Sequence, residues 1–195
     1  GASHTVTIYY GNPAAADAQQ SADVWSNGYD LVYHFAAAAG DYTDSTGNGY
    51  YGTPLGGVTR PVTGPLGRSV EFDGTTGYVE QFRSFSGANA IPGMTVSVWF
   101  NTSFPDGGAD NDNWSFIDFD RSDYFNFYLS GDQSELSFAT TGGSTQDFSG
   151  TTTGLNDGAW HLGWAIYDGT DKTIYLGSAP DGTQANAHGG AGLGS

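Results

Sequence analysis

The chain has 195 residues, no cysteine and a formal net charge of −16, from 21 acidic and five basic residues. The missing cysteine excludes disulfide bonds, thiolate metal sites and cysteine nucleophiles. The negative charge makes nucleic acid and anionic membranes poor partners, and the length is typical of one domain. The longest apolar run is too short to span a bilayer, so we predict no membrane insertion.

The first predicted elements precede the main domain. The side chains of residues 5–10 (TVTIYY) have the alternating pattern of a strand. The alanine-rich segment 14–25 favours a short helix that begins after Pro13. We therefore predict that residues 1–28 form a strand and a short helix that pack on the domain that follows.

The main domain is predicted over residues 29–177. Short alternating segments recur there between clusters of Gly, Asp, Asn and Ser, which is typical of strands joined by turns. Residues 36–69 hold few strand signals and predict a long ordered connection. The fold class is all-β: a two-sheet antiparallel β-sandwich with at most one short N-terminal helix. The predicted strands are 29–35, 69–73, 77–82, 95–101, 115–120, 124–130, 135–140, 160–168 and 172–177.

The tail, residues 178–195, is rich in Gly and Ala. It offers little to bury, so we predict that it is mobile.

The densest acidic segment is GADNDNWSFIDFDRSD, residues 108–123, which holds five aspartates and one arginine. Asp118 and Asp120 are two apart on a predicted strand and should share one face, with Ile117 and Phe119 pointing into the core. Adjacent carboxylates repel each other, and a Ca²⁺ ion with six to eight oxygen ligands removes that conflict. No EF-hand pattern is present, and a solvated acidic hairpin end is the alternative. The candidate metal ligands here are Asp110, Asn111, Asp112, Asp118, Asp120 and Asp123.

A second candidate metal site lies in GDYTDSTGNGYYGT, residues 40–53. Asp41 and Asp44 could share an ion with Asn48. The same residue types form turns by themselves, however, through hydrogen bonds from Asp and Asn side chains to nearby amides.

Candidate ligand-binding residues flank the first acidic segment. Trp114, Arg121 and Tyr124 combine aromatic area with a charged group, as a glycan or peptide groove requires. The alternative is that the two aromatic rings close the edge of the core. Trp99, Trp160 and Trp164 alternate with small or apolar residues and are predicted to lie in the core, and His161 is predicted to be structural.

An enzyme is the less favoured class. The sequence contains no G-x-S-x-G, phosphate-loop or H-E-x-x-H motif. Its three glutamates lie on separate segments, so a glycosidase would have to use Asp118 with Asp120. We therefore predict no catalytic residues.

Several stretches together resemble a known family. VEFDGTTGYVE (70–80), MTVSVWFNTS (94–103), NDGAWHLGWAIYDGTDKTIYLG (156–177) and residues 29–53 are similar to the laminin G-like, concanavalin A-like jelly roll of bacterial surface proteins. The resemblance implies two antiparallel sheets, a frequent Ca²⁺ ion and a ligand bound at the sandwich rim. Ca²⁺-dependent peptide- or glycan-binding domains of RTX adhesins are similar in architecture.

The resulting expectation is a Ca²⁺-dependent adhesion module of a large bacterial cell-surface protein. It would be extracellular and monomeric within a longer chain, and would bind a protein C-terminus or an acidic glycan. A structural spacer without a ligand and a glycoside hydrolase-like jelly roll are the alternatives.

Overall fold

Two four-stranded antiparallel sheets form the main body of the molecule. The computed structural model describes Ala14 and residues 20–83, 90–105, 113–119 and 124–194. Its strands are β1 (Thr53–Leu55), β2 (Val58–Gly64), β3 (Gly67–Phe72), β4 (Tyr78–Glu80), β5 (Met94–Phe100), β6 (Trp114–Phe119), β7 (Phe125–Leu129), β8 (Leu136–Thr141), β9 (Thr145–Gln146), β10 (His161–Tyr167), β11 (Lys172–Leu176) and β12 (Ala179–Gln184). The order is β12-β11-β10-β5 in the front sheet and β6-β7-β8-β9 in the back sheet. Two smaller sheets pair β1 with β4 and β2 with β3.

The hydrophobic core lies between the front and back sheets. Phe127 and Phe138 of the back sheet and Ile174 of the front sheet are all fully buried. Alternate residues of β5 and β10 supply this core, because successive side chains of a strand point to opposite faces, whereas β8 is buried on both faces. The predicted all-β sandwich is therefore confirmed.

The N-terminal part of the described chain has little regular structure. The only α-helix among the described residues is α1 (Ser21–Val24), which is shorter than the predicted helix over 14–25. The predicted strand over 29–35 is wrong, because this segment forms only one bridge, from Tyr33 to Asp44. Phe35 has a left-handed backbone with φ of 51°, which interrupts an extended strand. The predicted strand over 5–10 lies outside the described residues.

Two regions contain strands that the sequence did not indicate. β1 and β2 lie within the predicted connection 36–69, and β12 lies in the tail. The expectation of a mobile tail is wrong, because β12 pairs along β11 and Leu193 is fully buried. Leu193 also pairs with Ile91 through two backbone hydrogen bonds of 2.8 Å.

No helix among the described residues is both long enough and apolar enough to cross a membrane.

Candidate functional site

An open groove of about 730 Å³ lies on the outer face of the front sheet, the face turned away from the core. Three of the five tryptophans of the chain line it. Two of them keep a large exposed fraction, 40% for Trp99 and 37% for Trp160. The front groove, as we call it, is lined by Trp99, Trp160, His161, Leu162, Trp164, Ile166, Tyr175, Leu176, Gly177 and Ser178.

The alternation of β10 explains why the large residues face outward. Gly163 and Ala165 point toward the back sheet, and Ala165 is fully buried. A Cβ atom at Gly163 would lie 3.1 Å from the Leu136 side chain, so the interior has room only for a very small residue there. Trp164 lies between these two positions and therefore points to the outer face.

The prediction that Trp99, Trp160 and Trp164 lie in the core was wrong. Period-two alternation assigns residues to two faces but does not tell which face is buried. The sequence feature that could have predicted the groove was the size of the side chains in β10. In WHLGWAIY, small residues alternate with bulky ones, and two sheets approach each other most closely where the side chains between them are small.

Hydroxyl-bearing residues lie beside the aromatic ones on the same outer face. Trp164 is paired across the strands with Ser97 on one side and with Tyr175 on the other. Directly paired residues share a face of the sheet. At the far side of the front sheet, the hydroxyls of Thr173 and Thr183 lie 3.3 Å apart. The face thus combines flat aromatic surfaces with hydrogen-bonding groups.

A polar pair lies at one end of the front groove. The His161 ring Nε2 lies 2.9 Å from the Asp157 carboxylate. The backbone amide of Ala159 also donates a hydrogen bond to this carboxylate, and these two contacts lower the pKa of Asp157. His161, which we predicted to be structural, packs its ring on Phe100 and also lines the groove. No lysine, arginine or carboxylate occurs among the described lining residues.

The acidic segment that we predicted to bind Ca²⁺ is described only in part. Asp118 is exposed on β6 and pairs across the sheet with Asn126. A β-bulge between Ser115 and Ile117 changes the alternation, so that Phe116 packs on the core and Ile117 is 37% exposed, contrary to our prediction for Ile117. The other predicted residues of this segment, Asp110, Asn111, Asp112, Asp120, Asp123 and the ligand-binding Arg121, lie outside the described residues.

The two other predicted ligand-binding residues pack against the core. The Trp114 ring lies 5.1 Å from the Phe104 ring, and the Tyr124 ring lies 4.8 Å from that of Phe119. Both belong to the layer of partly buried residues around the core cluster. The structure thus places them at the edge of the core, which was the alternative for these two residues.

The second predicted metal site is organised by hydrogen bonds within the loop and by one from Val32. Asp44 is 5% exposed, and its carboxylate accepts hydrogen bonds from the backbone amides of Val32, Thr46 and Tyr50 and from the Thr46 hydroxyl. Burial raises the pKa of Asp44, but these hydrogen bonds outweigh burial and lower it overall. Asp41 instead accepts a hydrogen bond from Thr53. Among the described residues, no three His, Asp or Glu side chains converge as metal ligands would.

The fold defines the class of protein as an antiparallel β-sandwich with an aromatic outer groove. Its backbone is similar to the binding domain of Paraclostridial Mosquitocidal Protein 1, with a TM-score of 0.62 and 14% sequence identity. The similar region covers 86% of this chain and 42% of that chain. At this identity the likeness concerns the fold alone. No family model and no curated protein sequence matches the chain.

Proposed function

We propose that the chain is a ligand-binding module that binds a neutral glycan in the front groove. The observation that carries this proposal is the outward placement of Trp99, Trp160 and Trp164 on one sheet face. Exposed indole rings offer flat apolar surfaces that pack on the C–H faces of sugar rings, and neighbouring hydroxyl groups can bind the sugar hydroxyls. The similar domain of the mosquitocidal protein is a binding domain, which agrees with a binding role for this fold.

In the front groove, the charge of the molecule favours a neutral ligand over an acidic one. The net charge of −16 repels anions, and no lysine or arginine occurs among the described residues of the groove. A broad hydrophobic protein partner is also disfavoured, because Thr95, Ser97 and Thr173 share the outer face with the aromatic residues. We propose binding without catalysis.

The test is a binding assay with a panel of neutral tetrasaccharides built from glucose, xylose, mannose or N-acetylglucosamine. We expect at least one of them to bind the parent protein and Trp164→Ala to weaken that binding about tenfold or more. Trp25→Ala is the matched control, because Trp25 packs on Tyr29 and His34, and none of these three residues lines the groove. No binding in the panel, or equal losses in the two variants, would contradict the proposal.

A separate proposal concerns Ca²⁺. We propose that the acidic segment around Asp118 binds Ca²⁺ and supports an extracellular, surface-exposed adhesion module that holds an acidic glycan or a peptide C-terminus. This rests on the density of carboxylates in residues 108–123 and on the resemblance of the sequence to bacterial surface domains. The melting temperature should rise in millimolar Ca²⁺ relative to chelator, and less so in Asp118→Asn than in the control Asp132→Asn. An unchanged melting temperature would refute the Ca²⁺ site and leave the front groove unaffected.

A further inference from the structure

The aromatic residues of the front groove lie on three neighbouring strands and at the position just before β10. Trp99 lies on β5, Trp164 on β10 and Tyr175 on β11, while Trp160 directly precedes β10. The register is explicit: Trp99 is paired with Leu162, and Trp164 is paired with Tyr175. The rings therefore occupy different positions across the sheet.

The separation of these positions follows from sheet geometry. The cross-strand partner of Trp99 is Leu162, and Trp164 follows Leu162 by two residues. The two tryptophans are therefore diagonal neighbours on adjacent strands, with their Cα atoms about 7–8 Å apart. Tyr175 lies one strand further along, roughly 10 Å from β5 in the direction of the backbone hydrogen bonds. One sugar ring covers about one indole face. A ligand that covers the rings of both Trp99 and Trp164 therefore needs at least two successive sugar units.

We infer that the front groove binds a glycan chain along several of its units, and not a single sugar. This inference rests on the proposed function and adds the size class of the ligand. The open shape of the groove agrees with it, because a ligand can extend across the three strands. Each further ring that reaches an aromatic surface should add favourable contact free energy, since part of the entropic cost of association is already met by the first unit.

The experiment measures affinity against ligand length by calorimetry. The probes are glucose, cellobiose and cellotetraose, with the matching N-acetylglucosamine, xylose and mannose series run in parallel. We expect affinity to rise about tenfold or more from the single sugar to the tetrasaccharide in the parent protein. In Trp99→Ala most of that gain should disappear while binding of the single sugar changes little.

Two controls keep the experiment decisive. Trp99 is 40% exposed, so its removal leaves no core cavity, and an unchanged melting temperature would verify the fold. Trp99→Phe keeps an aromatic face and should restore part of the length dependence. Equal affinities for one and four units, or an equal effect of Trp99→Ala on both, would overturn the inference while leaving glycan binding intact. Binding of no sugar at any length in these series and in the tetrasaccharide panel would instead refute the proposed function.

Discussion

The buried Lys172 should make stability rise with pH in a mildly alkaline range. Its side chain is fully buried, and its ammonium group donates hydrogen bonds to the backbone carbonyls of Phe138 and Gln146. Burial lowers the pKa of Lys172 from 10.5 to about 8, although the nearby Asp147 acts in the opposite direction. His188 also lies near Lys172, and burial together with the positive charge of Lys172 lowers the pKa of His188.

The direction of this change in stability follows from the number of protons that the folded and unfolded states bind. At about pH 7 both the folded and the unfolded chain carry a charged Lys172, and the folded state bears the cost of burying that charge. Above about pH 8 the folded state releases the proton while the unfolded state keeps it, so the free energy of unfolding increases. With pKa values of about 8 and 10.5, the contribution between about pH 7.5 and 9.5 is about 2 kcal/mol.

Urea unfolding followed by tryptophan fluorescence measures this change at several pH values. The range should end below about pH 10, because unfolded tyrosines begin to ionise there, whereas burial raises the pKa of Tyr33 to about 12 in the folded state. In Lys172→Met the rise of about 2 kcal/mol should vanish. The same pH slope in the parent protein and in Lys172→Met would refute the assignment to Lys172.

Two further predictions concern stability. Asp44→Ala should lower the free energy of unfolding by about 2–3 kcal/mol, since it leaves several loop amides without their acceptor, whereas the exposed Asp41→Ala should cost less than about 1 kcal/mol. Because the pKa of Asp44 is lowered, the difference between these variants should shrink as the pH falls below about 4, and equal urea curves at pH 7 would contradict this. Leu193→Ala should cost about 2–4 kcal/mol, because Leu193 is fully buried, while Leu66→Ala at an 82% exposed position should change stability by less than about 0.5 kcal/mol. Matching melting temperatures for the two leucine variants would show that the tail does not pack on the core.

The strands that could be predicted from the sequence are those in which apolar and polar or small side chains alternate. β5, β7, β8, β10 and β11 carry this pattern clearly, and the two-sheet class follows from their number and spacing. β2 and β12 could not be predicted in this way. Pro61 and Pro180 argue against a strand in these segments, and backbone hydrogen bonds to a neighbouring strand hold both segments in place without a distinctive side-chain pattern. The acidic segment was prominent in composition, whereas the groove depends on which face of β10 is buried, and in the sequence only the small size of Gly163 and Ala165 indicates that face.

The tail with the weakest sequence signal supports the strands that carry the groove. The Tyr167 hydroxyl at the end of β10 donates a hydrogen bond of 2.6 Å to the backbone carbonyl of Ala191. β12 pairs along β11, with Pro180 opposite Tyr175, one of the aromatic residues of the groove. Gly163 allows β10 to approach the back sheet closely while Trp164 projects outward. The same strand therefore joins the core, the tail and the groove, so the aromatic surface is held by packed elements and needs little rearrangement to bind a flat ligand.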